Sequence, residues 1–149
     1  MSVIDTVKVI KKTQTTNIIM IKIGKFIYSY GKDACIISYI FKYKIRQLED
    51  NTYVCAFPKN KLNNIMAILE NKKINYLVLD KRNSYRVDEK SNNKNINKYE
   101  EYMEKAIRYV KRKRKIDYIY SNLLNNIENN EVDETILSIK KVIDERRKI

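Results

Sequence analysis

The sequence of 149 residues contains no histidine and no tryptophan. Without histidine there is no imidazole to act as a general base near neutral pH, so Ser-His-Asp and Cys-His catalytic arrangements are excluded. The two glycines, Gly24 and Gly31, cannot form the glycine-rich loops that bind nucleotide phosphates. We therefore expect a protein that is not an enzyme and that uses no cofactor.

Cysteine is also scarce. Cys35 and Cys55 lie in apolar stretches and, without histidine, supply too few ligands for a zinc site. We expect two buried thiols, no disulfide framework and no bound metal. The sequence also lacks the run of about 20 apolar residues that spans a bilayer. Because its first residues, MSVIDTVKVIKK, do not resemble a secretory signal, we expect a cytoplasmic protein with no membrane partner.

Positive charge, by contrast, is abundant. Lysine and arginine number 31 against 18 acidic residues, which gives a net charge of +13 and favours a polyanionic partner. The densest basic segment is RYVKRKRK, residues 108–115, and its basic residues are Arg108, Lys111, Arg112, Lys113, Arg114 and Lys115. A helix would spread these side chains around its circumference. The segment therefore either contacts phosphates or forms a solvated helix that Glu101, Glu104 and Asp117 partly neutralise.

Apolar periodicity in residues 1–90 predicts a small mixed α/β domain. Three-four spacing predicts helices at 32–42 and from Pro58 to about Asn71. Short alternating or β-branched runs predict strands at 18–23, 26–30, 44–48, 52–57, 75–80 and 84–88. The resulting order ββαββαββ indicates a small mixed β-sheet with helices packed on it.

The remainder of the sequence follows another pattern. Residues 89–98, EKSNNKNINK, include a single apolar residue, so we expect a polar linker at 91–97. Apolar residues then keep helical spacing from Tyr99 for almost thirty residues, and a second stripe begins at Val132. Residues 98–149 are therefore predicted to form a basic helical hairpin. Its apolar stripes either pack on each other, dock on the sheet domain or join two copies in a homodimer.

Two segments carry a resemblance to a known family. Residues 21–34, IKIGKFIYSYGKDA, resemble the pattern [VR]-G-D-F-Y-E-x-[FY]-x-x-D-A. Residues 54–80, VCAFPKNKLNNIMAILENKKINYLVLD, resemble the pattern C-G-[VF]-P-x-x-x-L followed by a helix and a strand that ends in an acid. Together they resemble the N-terminal mismatch-recognition domain, domain I, of the DNA mismatch repair protein MutS family. The resemblance covers residues 15–90 and implies a stand-alone, non-catalytic DNA-binding module.

The resemblance assigns a role to Phe26. In the family, the phenylalanine of G-D-F-Y-E enters the base stack at a mispair from the minor groove, and Phe26 holds that position. The family's aspartate and glutamate are Lys25 and Tyr28 here, so discrimination among mispairs remains open, although Tyr28 can hydrogen-bond or stack. The alternating pattern alone favours a core residue at Phe26, and the resemblance makes the core and wedge interpretations about equal.

Further lysines are candidates for phosphate contacts. Lys22 and Lys25 lie beside Phe26, while Lys59 and Lys61 follow Pro58 at a helix start, where backbone amides also favour anions. Lys8, Lys11 and Lys12 lie upstream. The predicted ligand is mismatched or bulged double-stranded DNA. Structured RNA is an alternative, as is a protein interaction or regulatory module with core aromatics and no DNA binding.

Overall fold

A six-stranded mixed sheet organises the fold in the computed structural model, which describes residues 1–93 and 95–147. Its strands are β1 (Ile18–Ile23), β2 (Phe26–Tyr30), β3 (Ile45–Gln47), β4 (Tyr53–Pro58), β5 (Tyr76–Asp80) and β6 (Arg86–Lys90). They lie in the order β3-β4-β2-β1-β5-β6. Strands β1 and β5 are parallel, and the other neighbouring pairs are antiparallel. The predicted mixed α/β fold is confirmed.

The helices of the chain are α1 (Val3–Lys11), α2 (Gly31–Phe41), α3 (Leu62–Asn71), α4 (Tyr99–Asn125) and α5 (Glu131–Arg147). Short 3₁₀ helices follow β4 at Lys59–Lys61 and β5 at Lys81–Asn83. Helix α1 has no counterpart in the predicted order of elements. It begins at a capping residue, Ser2, whose hydroxyl accepts a hydrogen bond of 3.1 Å from the Asp5 N–H.

The sheet is covered on both faces. On β1, Ile18 and Met20 belong to the larger core cluster, which also includes residues of α2, α3 and α4. Ile19 and Ile21 belong instead to a smaller cluster with Val7 of α1. Because successive side chains of a strand point to opposite faces, α1 and the group α2, α3 and α4 pack on opposite sides of the sheet.

Helix α4 begins inside the first compact unit. This unit comprises Met1–Val110, and the second comprises Lys111–Ile149. Tyr99, Ala106 and Val110 are buried in the larger core cluster, which is why the first unit extends beyond the predicted boundary at residue 90.

The polar segment predicted as a linker at 91–97 belongs to the first unit, and two of its residues are hydrogen-bonded to other parts of that unit. The Ser91 N–H donates to the Tyr76 carbonyl at 3.1 Å, and the Asn97 amide donates to the Thr16 carbonyl at 2.8 Å. Within the predicted linker Lys94 lies outside the described residues, as do residues 148–149 of the predicted hairpin.

The second unit contains the remainder of α4 and all of α5. Within its described part, up to residue 147, no side chain is buried. Its most exposed large apolar side chains are Ile116, Tyr118, Ile119, Tyr120, Leu124, Ile127, Ile136, Leu137, Val142 and Ile143. None of the described helices combines the length and apolar character needed to cross a membrane.

Candidate nucleic-acid interface

Phe26 lies outside the core at the tip of the β1–β2 hairpin. The Ile23–Phe26 pair closes the hairpin over the loop residues Gly24 and Lys25. Gly24 has a φ of 62°, the conformation that favours glycine at the first position of such loops. The Phe26 side chain is 46 % exposed, whereas Ile27 beside it is fully buried. The alternation along β2 therefore directs Phe26 away from the larger core cluster.

Two tyrosines share this face of β2. Tyr28 and Tyr30 follow Phe26 at a spacing of two residues, and both are half-buried. Their rings are stacked, with centroids 6.4 Å apart and planes inclined by 15°. Burial raises the pKa of Tyr30, and the neighbouring Tyr28 and Tyr85 raise it further. Phe26, Tyr28 and Tyr30 form a row of three aromatic rings that ends at the exposed phenyl group.

Strand β4 brings a second lysine to the hairpin tip. Phe26 is paired with Pro58, and the Lys59 N–H donates a 3.0 Å hydrogen bond to the Lys25 carbonyl. Lys25, Lys59 and Lys61 are all exposed. Two predicted phosphate contacts that are 34 residues apart in sequence, Lys25 and Lys59, are therefore adjacent in the structure.

The parallel pairing of β1 with β5 adds basic residues that the sequence analysis missed. Lys22 lies opposite Asp80, so the end of β5 reaches the same edge of the sheet as the hairpin tip. Lys22, Lys59, Lys81 and Arg82 line one cleft at this edge, which we call the tip cleft. The parallel pairing of β1 with β5 could not be read from the sequence. Had it been known, it would have indicated Lys81 and Arg82, because the carboxyl ends of parallel strands meet at one edge of the sheet.

Acidic groups already engage part of the tip cleft. The Lys22 ammonium forms an ion pair with Asp88, which leaves it less available to a phosphate. The Asp80 carboxylate accepts hydrogen bonds from the Arg82 N–H at 3.0 Å and the Asn83 amide at 3.1 Å. Within residues 1–93 and 95–147, Lys59, Lys81 and Arg82 have no ion-pair partner. The tip cleft is therefore positively charged overall.

Lys11, named above as a possible phosphate contact, has internal partners instead. Its ammonium lies 3.1 Å from Asp33 Oδ1 and donates to the Asn17 carbonyl at 2.7 Å. The upstream lysines differ in their surroundings, since Lys12 is exposed and Lys8 lies 3.7 Å from Asp50. The three upstream lysines are therefore not equally available to a phosphate.

Asp33 of α2 is hydrogen-bonded to residues of β1, α4 and α1. Its carboxylate accepts hydrogen bonds from the Ile19 N–H at 3.0 Å, from the Tyr99 hydroxyl at 2.5 Å and from Lys11. Burial raises the pKa of Asp33, and the Lys11 ammonium opposes that shift. Burial and the charge of Asp33 raise the pKa of Tyr99 far above its ordinary value, so Tyr99 stays protonated and donates.

The basic segment at 108–115 lies on α4 and is divided between the two units. Arg108 belongs to the first unit and Lys111 to the second, and every basic side chain of the segment is exposed. Lys113 forms an ion pair of 3.0 Å with Asp117, one helical turn further along. In the unbound chain the basic segment is therefore a solvated helix whose charges are partly paired within the helix.

Comparison with known proteins gives one family match. The family model described as MutS domain I matches residues 2–122. The match therefore includes α1 and most of α4, which lie outside the 15–90 range of the predicted resemblance. No curated protein matches the chain in sequence.

Proposed function

Because this chain belongs to the MutS domain I family, a family of mismatch-recognition domains, we propose that it binds double-stranded DNA and prefers mispaired or bulged duplexes. It would do so as a non-catalytic module. The observation that carries this proposal is the position of Phe26, which is 46 % exposed at a hairpin tip flanked by lysines.

Phe26 supplies the wedge in this proposal. Inserting a ring between two base pairs costs a few kcal/mol of lost stacking, and the bent duplex recovers this cost through closer contact with the protein. The cost is smallest where pairing is already faulty, which produces the preference for a mispair. Tyr28, two residues behind Phe26 on the same face, offers a hydroxyl and a ring to a displaced base.

The lysines around the tip supply affinity that does not depend on sequence. Lys25, Lys59 and Lys61 are exposed and contact phosphates in the proposed complex, together with Lys81 and Arg82 of the tip cleft. Lys22 contributes less because of its ion pair with Asp88. The basic residues of segment 108–115 add further phosphate contacts along α4. Each contact releases counterions, so affinity falls as salt rises.

The replacement Phe26→Ala tests the wedge. We would measure affinity for matched, mismatched and bulged duplexes by fluorescence anisotropy over a salt series. Phe26→Ala should abolish the preference for the defective duplexes and leave the salt slope unchanged. The matched control is Val87→Ala, which removes another apolar side chain that is 49 % exposed on the same sheet. It should keep the preference.

Two outcomes would contradict the wedge. One is equal binding of all duplexes by the unmodified protein, and the other is an equal loss by Phe26→Ala on every duplex. RNA duplexes of the same lengths test the alternative ligand, since tighter binding of RNA would favour a structured-RNA binder. An absence of salt-dependent binding to either nucleic acid would favour a protein interaction module.

The exposed stripes of the second unit favour an additional function, which is a homodimer formed through the C-terminal helices. Ile136 and Ile143 are exposed one heptad apart on α5, and such a heptad stripe is typical of paired helices. The start of α5 carries three acids, Glu131, Asp133 and Glu134, whereas α4 carries the basic segment. These opposite charges are complementary between two copies of the chain.

Sedimentation velocity tests the homodimer. Ile136→Lys should shift the chain from dimer to monomer, because it places a charge within the stripe. Leu137→Lys is the matched control, since Leu137 is 67 % exposed but lies outside the stripe formed by positions 136, 139 and 143. A chain that is monomeric at every concentration, or a dimer unaffected by Ile136→Lys, would exclude this interface.

A further inference from the structure

A cavity separate from the tip cleft lies within the first unit. It has a volume of about 730 Å³ and lies among α1, the start of α2, the start of β4 and the first turns of α4. This volume falls in the range of pockets that hold small organic molecules. The DNA-binding proposal assigns no role to this cavity.

The walls of the cavity are largely apolar. Ile4 and Val7 of α1 line one side, and Met103 and Ile107 of α4 line another. Tyr30 and Tyr53 also line the cavity. An aqueous cavity with such walls leaves apolar surface in contact with water, so a ligand with an apolar body would gain free energy by covering it.

One side of the cavity is positively charged. Lys32 is exposed and, among the described residues, has no ion-pair partner, while Lys8 makes only a 3.7 Å contact with the exposed Asp50. Lys11 also lines the cavity, but Asp33 neutralises it. Glu100 is the acidic side chain in the lining.

We propose that this cavity binds an organic anion with an apolar body. The apolar part of the ligand contacts the wall formed by Val7, Met103 and the tyrosine rings, and its carboxylate or sulfonate pairs with Lys32. Fatty carboxylates and aromatic carboxylates share this chemistry. The inference is independent of DNA binding, because none of these residues belongs to the tip cleft.

Calorimetric titration of the full chain with decanoate and with 1-naphthoate tests the proposal and distinguishes the two sources. Saturable binding with a stoichiometry of one is expected for at least one of them, and the matching alcohols, decanol and 1-naphthalenemethanol, should bind about tenfold more weakly. Lys32→Gln should weaken anion binding by a similar factor. Lys12→Gln removes an equally exposed lysine that does not line the cavity, so it should have no effect.

Substitutions that fill the cavity provide a second test of the proposal. Met103→Trp and, independently, Ile4→Trp should abolish anion binding while the circular dichroism spectrum and the salt dependence of DNA binding stay unchanged. Two variants on different helices keep the test decisive if one of them fails to fold. The proposal is overturned if no saturable binding occurs, if both tryptophan variants bind normally, or if Lys32→Gln and Lys12→Gln weaken binding equally.

Discussion

The Tyr99 hydroxyl donates a hydrogen bond of 2.5 Å to Asp33 Oδ1, joining the first residue of α4 to the first turn of α2. The same carboxylate accepts from the Ile19 N–H of β1 and pairs with Lys11 of α1. Four elements of the first unit therefore meet at one buried carboxylate. A buried charge is tolerated only when it is paired and hydrogen-bonded, as this one is.

Tyr99→Phe should destabilise the domain by about 1–3 kcal/mol, because it removes one donor from a buried carboxylate and leaves the ring in place. Urea denaturation followed by circular dichroism measures the change. Tyr118→Phe is the control, since Tyr118 is 72 % exposed and its hydroxyl has water available. Equal stability of Tyr99→Phe and the unmodified chain would show that the bond contributes nothing.

Asp33 also predicts a pH dependence. Burial raises its folded-state pKa above the unfolded value of 3.8, so the folded state holds this proton more tightly. Its contribution to stability is therefore full below pH 3.8 and is lost as the pH rises through the folded-state pKa, at up to about 1.4 kcal/mol per pH unit. Asp33→Asn cannot titrate and should lack this component. The free energy of unfolding of both proteins, measured from about pH 3.5 to 8, tests whether Asp33 makes stability fall as the pH rises. Parallel curves for the two proteins would contradict this prediction.

Cys55 should resist thiol reagents in the folded protein. Burial, and then the neighbouring Cys35, raise the pKa of Cys55 to about 12, so the reactive thiolate is scarce at pH 8. Labelling with a chromogenic disulfide reagent should then proceed only as fast as the domain opens, and at once in concentrated urea. The variant Ser121→Cys places a thiol at an exposed position and should react within seconds. Fast labelling of Cys55 in the native state would show that the strand is accessible.

The double variant Lys81→Gln with Arg82→Gln should weaken binding of matched and mismatched duplexes equally. Each lost phosphate contact lowers the dependence of log affinity on log salt by about 0.9, so the slope should fall by about 2. Lys140→Gln with Lys141→Gln removes two exposed lysines of α5 and is the charge-matched control. If both double variants reduce the slope equally, the net positive charge of the protein determines its affinity for DNA, and the tip cleft makes no specific contribution.

Gly24→Ala should destabilise the hairpin by about 1–2 kcal/mol, since Gly24 has a φ of 62° and a Cβ there is strained although no atom lies within 4 Å of it. Gly24→Asn should cost less because asparagine tolerates positive φ. Thermal unfolding of the two variants tests this order. The reverse order would mean that the loop changes conformation on substitution.

Much of the sheet follows from local patterns. The runs at 18–23 and 26–30 coincide with β1 and β2, and the hairpin between them follows from a glycine at the first loop position. Strand β6 begins two residues later than predicted, because Ser84 and Tyr85 have positive φ values of 55° and 59°. Such backbone values at serine and tyrosine are not encoded in apolar periodicity.

What could not be predicted depends on contacts between distant residues. Helix α1 was not among the predicted elements, and only the fold reveals that Asp33 neutralises Lys11. Lys81 and Arg82 were missed for a similar reason, since their place at the tip requires β5 to lie parallel to β1. Local spacing identifies elements, whereas the composition of a site depends on which elements become neighbours.

The bond between Asp33 and Tyr99 also has a consequence for synthesis on the ribosome. The two residues are 66 positions apart, and every strand of the sheet is translated before Tyr99 is added. A nascent chain that has released β6 still lacks one of the donors to the Asp33 carboxylate, the Tyr99 hydroxyl, and the Val110 side chain that covers the core. The core of this unit is therefore complete only after the early turns of α4 leave the exit tunnel.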